Sequence, residues 1–347
     1  MTSGSLGSPT KQIAVLVMIG LMASVGVATL SNAQATAASY AILSAADVSM
    51  KNRVNIFQVS ASPASCPGSV GCKGDVGGTT VLMGRGNAAA PDTIAGDVIA
   101  SETSLQGLDC ANNAPGTTAI CLGNDSEIAG ACVTGGGAVS SPSECAGGTD
   151  ASGQSAEVTT QMPNALSNMT SLSTALAGLV PTQTLSAIVI GVRGNAMISS
   201  AGGLNVISVP SIASGTNSTL TLNGSATDLF VINVGNSSNP GSLQIGNGAA
   251  VVLSGGITPD RVIFNLIGSG TAAQLGNHTT FNGSILAPQG QFTSGDGDTP
   301  NPVLINGALL FGESISIGNN TNLYFYPFAG TGTGGSTGGT TGTTSAS

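Results

Sequence analysis

From Leu185 to Leu323 the chain is a succession of short apolar bursts, and nearly every burst stops at Gly, Asn or Pro. Segments such as TLTLNG, DLFVINVG, AAVVLSG, RVIFNLIG and FNGSILAP set the pattern. Gly and Asn tolerate positive φ and Pro withdraws a ladder donor, so each marks a place where a strand turns or ends. A parallel sheet with helical crossovers needs a helix for each strand, and this region has no room for them. A sandwich, a barrel or a solenoid remains, and a corner residue after each burst favours the solenoid. The expected fold is mainly β: a right-handed, irregular β-helix with one long flanking α-helix. Val262 and Leu304, and Ile285 and Ala287 or their neighbours, are predicted to face its core, with Gly283 and Gly290 at corners and Pro288 closing a strand.

The flanking helix is read from a change of period. Val158, Met162, Ala165, Met169, Leu172, Leu176 and Leu179 recur every three or four residues, which is one apolar stripe of a helix spanning roughly 160–178. Pro163 either kinks it early or sits in its first turn, and Gly178 and Pro181 end it. Upstream, DTIAGDVIAS (92–101) and SEIAGACVTG (126–135) echo each other, with Ile94 and Ile128 separated by 34 residues. That offset suggests two coils of about 17 residues, with Gly at their corners.

The ends carry other signals. Lys11 precedes the apolar run Ile13–Leu30, and Ala33-Gln34-Ala35 has the small-x-small form of a secretory cleavage site. An uncleaved anchor is the competing reading. The expected organisation is a signal peptide over 1–35, a cysteine-containing β-rich region over 36–150, the flanking helix within 151–182, the solenoid core over 183–328 and a Gly/Thr/Ser-rich tail over 329–347. Export agrees with six cysteines: Cys66, Cys72, Cys110, Cys121, Cys132 and Cys145. An even count in a secreted chain suggests disulfides, and the sequence leaves their pairing open. Eight Asn-x-Ser/Thr sequons stand at Asn124, Asn168, Asn217, Asn223, Asn236, Asn277, Asn282 and Asn319. They are candidate glycosylation sites or, on the plainer reading, turn residues.

Chemistry is poorly supplied. The net charge is −9, the seven basic residues form no cluster, and nucleic acid is excluded as a partner. His278 is the only histidine, so general-base and nucleophile machinery has little to draw on, and the chain is not expected to be an enzyme. No cofactor is expected. Asp296 and Asp298, alternating in SGDGDTP, are the one candidate metal pair, for Ca²⁺, although a full calcium loop supplies six or more oxygens.

The stretch from Thr219 to Leu323 resembles two related groups of exported proteins. Gly255, Gly256, Ile257, Pro259, Arg261, Val262 and Asn265, followed by Leu286-Ala287-Pro288, resemble the hallmarks of the choice-of-anchor A group of bacterial surface proteins. The strand order and the single long helix are similar to the ice-binding-like group. The resemblance implies an irregular β-helix, an exported context and no catalytic site. The leading expectation is a secreted structural or adhesive protein of the cell surface or extracellular matrix. It would touch glycan, matrix, a neighbouring surface protein or another copy stacked on an open solenoid end. The alternatives are an ice-binding protein, with Thr219, Thr221, Thr279 and Thr280 as suggestive hydroxyls but no repeating Thr-x-Thr ladder, and a polysaccharide-active β-helix enzyme.

Overall fold

A computed structural model describes residues 40–59, 74–84, 91–102 and 118–329. These residues form three parallel sheets of 11, 10 and 9 strands wrapped around one apolar core. Each complete coil lays one strand in each sheet. The first coil runs through Tyr40–Ser44, Val48–Met50 and Val54–Gln58. Alternate residues in the second and third sheets point inward, as in Thr219–Asn223 and Val303–Gly307, where buried and half-buried positions alternate.

The coils are not stacked in chain order. The first coil sits mid-stack, paired with Asp75–Gly78 on one side and with Leu309–Phe311 on the other. From there the chain winds to one end of the first sheet at Thr149–Asp150. It restarts at the opposite end with Gln183–Thr184, Ile188–Ile190 and Asn195–Ser199, and winds back until Thr321–Phe325 docks on Val54–Gln58. Helix α1 (Met162–Ala177), preceded by a π-helical turn at Glu157–Gln161, makes the return trip. Its 21 residues cover about 32 Å at 1.5 Å per residue. Met162, Ala165, Met169, Leu172 and Leu176 are buried against the first sheet, which is the stripe read from the sequence, and Pro163 lies in the first turn. Gly178 closes the helix in the right-handed region, its N–H bonded to the Thr174 carbonyl.

Because α1 covers the outside of the first sheet, strands there lose their alternation. Leu229–Val234, Val262–Leu266 and Ser284–Ala287 are buried throughout. Val262, Ile285 and Ala287 are fully buried, as expected, and Pro288 follows the last residue of its strand. Leu304 is a correction. It is half-buried in the outward row of the third sheet, in register with Thr280 and Asn322, and its neighbours Val303 and Ile305 face the core instead. Six phenylalanines fill the interior, with ring pairs Phe264–Phe281 and Phe292–Phe311 at 5.1 and 5.4 Å.

The Ile-Ala-Gly echo is a second correction. Ile94 pairs directly with Ile128, and Val98–Ala100 with Cys132–Thr134, so 34 residues make one coil rather than two. Residues 103–117, within that coil, lie outside the described residues. The glycines do sit at corners: a Cβ on Gly130 would stand 2.5 Å from the Gly96 carbonyl oxygen. The signal-peptide region and the Gly/Thr/Ser tail beyond Ala329 also lie outside the described residues.

Candidate functional site

With the first sheet covered by α1, the second and third sheets are the faces left open. Their outer surfaces differ in chemistry.

The corner between them is built by a repeated device. Asn247 Oδ1 accepts the Asn277 N–H at 2.9 Å, and Asn277 Oδ1 accepts the Asp296 N–H at 2.9 Å. Asp296 Oδ1 accepts the Asn319 N–H at 2.8 Å, and Asn319 Oδ1 accepts the Asn52 N–H at 3.2 Å. Each rung thus donates a backbone N–H to the side chain one coil away. Buried Ser218, Thr279 and Thr321 brace it by donating their hydroxyls to the carbonyls of Gly215, Gly276 and Gly318, three residues back. Thr279, suggested by the sequence as a contact hydroxyl, is one of these and is closed to solvent. The Gly before each of the four side-chain acceptors, Asn247, Asn277, Asp296 and Asn319, has no alternative: a Cβ on Gly318 would stand 2.0 Å from the Gly295 carbonyl oxygen.

The predicted metal pair falls on this corner. The backbone N–H of Asn319 holds the Asp296 carboxyl below the usual carboxylate range, helped by Lys51 Nζ at 3.2 Å. Asp298 turns away to the Asn301 N–H at 3.3 Å, with His278 Nε2 at 3.8 Å. Among the described residues no three His, Cys, Asp or Glu side chains converge on a metal position.

Several sequon asparagines are structural bridges here. Asn277 and Asn319 belong to the corner ladder. Asn236 Oδ1 accepts the N–H groups of Ser238 and Asn239 in a turn. Asn223 accepts from Ser254 Oγ at 3.0 Å. Asn282 donates to the Val251 carbonyl at 2.7 Å and accepts from Asn306 Nδ2 at 2.9 Å. Asn217 takes positive φ at its corner. Asn124 lies in the turn before Ser126–Ile128, and Asn168 in α1. Cys132 and Cys145 form a disulfide and Cys121 is disulfide-bonded; Cys66, Cys72 and Cys110 lie outside the described residues.

The third sheet's outer face is largely tied to itself. Asn55 Nδ2 donates to Asn322 Oδ1 at 3.0 Å, Asn306 bonds Asn282, and Ser254 bonds Asn223. Phe57 and Tyr324 stack at 5.0 Å, and Glu127 puts a charge at one end. Thr219, Thr221 and Thr280 lie on this face, half-buried among these pairs.

The second sheet is different. One outward row crosses almost its whole length in register: Val189, Ala213, Gln244, Gln274, Thr293, Ser316, Ser49 and Leu82. A shorter row of Ser242, Ala272 and Gln291 runs beside it. No member of either row is charged. Neighbouring rungs of a parallel sheet lie about 4.8 Å apart. The result is an in-register comb of methyl, hydroxyl and amide groups along one continuous parallel sheet. Sequence reasoning missed it, because these residues are not evenly spaced along the chain.

The sequence profile of the ice-binding-like family matches residues 110–322. No curated protein matches the chain. Several solved structures are similar at low identity, three of them as follows. An ice-binding protein from the Antarctic ascomycete Antarctomyces psychrotrophicus is 15% identical, with 84% of this chain and 96% of that one covered and a TM-score of 0.48. The DUF3494 domain of a Shewanella frigidimarina ice-binding protein is 13% identical, with 84% and 95% covered and a TM-score of 0.45. The ice-binding protein LeIBP from an Arctic yeast is 15% identical, with 85% and 94% covered and a TM-score of 0.40. Of the expectations drawn from the sequence, the family match favours the ice-binding alternative over the adhesive reading.

Proposed function

The chain belongs to the ice-binding-like family, and with that as premise we propose that it binds ice through the outer face of its second sheet. The observation that carries this reading is the uncharged, in-register row from Val189 to Leu82. Ice is a large, flat, neutral array of hydrogen-bond donors and acceptors. A partner for it needs a rigid plane, groups that both donate and accept, and methyls that order water rather than scatter it. Ser and Thr hydroxyls and Gln amides supply both roles. Ala213, Val189 and the Thr293 methyl supply the apolar part. Charges, which hold their own hydration shells, are absent from the row. The parallel ladder fixes the backbone of the row before contact, which lowers the ordering cost of adsorption by many weak bonds.

Export belongs to the same reading. The disulfides at Cys132–Cys145 and Cys121 fit an oxidising compartment. Among the described residues no helix is long and apolar enough to cross a membrane. Glycan at exposed sequons is compatible with the face, since none of the eight asparagines belongs to the second-sheet row.

The test is to place bulk on one face at a time. Thr293→Tyr, at the middle of the second-sheet row, lowers thermal hysteresis on the order of tenfold, because a central protrusion lifts the surrounding contacts off a flat surface. Thr221→Tyr, on the third sheet, leaves it within error of the unmodified protein. The reverse pattern moves the ice face to the third sheet.

A further inference from the structure

We propose that the outer face of the third sheet carries a second binding site, a groove for a short neutral or amino-bearing oligosaccharide, at the end built by the N-terminal coils. The groove has a volume of about 550 Å³ and lies across successive rungs. Its origin is in the sequence echo. Ile56, Ile94 and Ile128 are in register, and Ile128 bridges to Cys145. The residue after each is therefore aligned as well: Phe57, then Ala95, Ala129 and Ala146. Tyr324 covers one face of the Phe57 ring at 5.0 Å. On the other side the row drops from an aromatic ring to methyl groups, so that ring face looks into the groove, and the alanines form its floor.

The polar wall is pre-set. Thr93 donates its hydroxyl proton to Asn55 Oδ1 at 2.9 Å, and Asn55 is held in turn by Asn322 Oδ1 at 3.0 Å. The Thr93 oxygen is left as an acceptor toward the groove. Glu127 and Glu144 are the only charged residues lining it, and both are acids. An apolar ring face beside fixed acceptors suits a molecule with a flat C–H face and a rim of hydroxyl donors, which describes a pyranose. Two carboxylates accept sugar hydroxyls or an amino group, and they repel acidic polymers. The groove and the second-sheet row are on different faces, so ice and saccharide would be held at the same time.

Titration calorimetry of the full chain with cellohexaose and with chitosan hexamer tests this, with hexalysine as the third probe. Saturable binding of at least one saccharide is expected. Ala95→Leu, which fills the floor, and Glu127→Gln combined with Glu144→Gln, which are surface changes compatible with folding, should each weaken it at least fivefold while thermal hysteresis is unchanged. Loss of hysteresis in Thr293→Tyr with saccharide binding intact keeps this proposal separate from the ice face. Absence of saccharide binding, saccharide binding indifferent to both variants, or binding of hexalysine alone overturns it.

Discussion

At the scale of single residues, the most exposed weakness of the fold is Asp92. It begins a third-sheet strand, fully buried, at the position where the next coil places Ser126. Oδ1 accepts the Val54 N–H at 2.8 Å, while Oδ2 has no hydrogen-bond partner. Burial pushes its pKa up to about 6, against the opposing pull of the Val54 and Arg53 N–H groups and the Arg53 charge. The folded protein thus holds this proton more tightly than the unfolded chain, whose carboxyl titrates near 3.9. The contribution to stability is full below about pH 4 and is lost as pH rises through 6. Asp92→Asn keeps the bond to Val54 and removes the charge. It should raise stability in urea melts at pH 8 by on the order of 2 kcal/mol and change it little at pH 4. An equal change at both pH values contradicts this account of Asp92.

The corner ladder shows what could be read at this scale and what could not. Gly-Asn and Gly-Asp at 246–247, 276–277, 295–296 and 318–319 were legible as corners, because Gly before a turn residue has a local cause. That the same Asn and Asp side chains bond the next coil was not legible. Their partners lie 19 to 30 residues away in the chain, and Asn52 closes the ladder from the far N-terminal side. Asp296, whose acidic spacing suggests a cation ligand, accepts a backbone N–H and Lys51 Nζ on Oδ1, contacts that its sequence neighbours do not reveal.

At the scale of elements, helix α1 is held by more than its apolar stripe. Asn265 and Asn233 lie on the outward side of the first sheet, buried beneath it. Ser173 Oγ donates to Asn265 Oδ1 at 2.6 Å, and Asn265 Nδ2 donates to the Ser173 carbonyl at 3.1 Å and to Asn233 Oδ1 at 2.8 Å. Asn233 Nδ2 in turn reaches the Leu176 carbonyl at 2.9 Å. Asn265→Ala strands three buried partners, and each unmet group costs about 1–3 kcal/mol. The prediction is faster amide exchange across α1 with the second sheet unchanged. Unaltered protection in α1 argues against this anchor. The helix itself was legible from its 3.6-residue period, and Asn265 from the resemblance of its segment to known families. The pairing of the two was not, since 92 residues separate Ser173 from Asn265. Strands of the first sheet read only as apolar runs because both of their faces are covered.

At the scale of the whole molecule, the solenoid was legible and its winding was not. Short bursts with corner residues specify a coil, but nothing local states that the first coil lies mid-stack and that the last returns to it. The same non-sequential order hides the proposed ice face. Its successive members from Val189 to Ser316 are 24, 31, 30, 19 and 23 residues apart, and the row then continues at Ser49. A search for hydroxyls at a fixed repeat finds no ladder in such a sequence, yet the sheet lines them up because ladder hydrogen bonds, not chain spacing, set the register. One core thus serves three faces: one buried under a helix, one self-paired, and one carrying an uncharged row in register.

The most direct measurement is to grow a single ice crystal slowly from a solution of the fluorescently labelled protein. The account predicts that label is carried into the ice on defined crystal planes, with faceted growth at low concentration. Label swept ahead of the growing front, with round unfaceted crystals at every concentration, would contradict it.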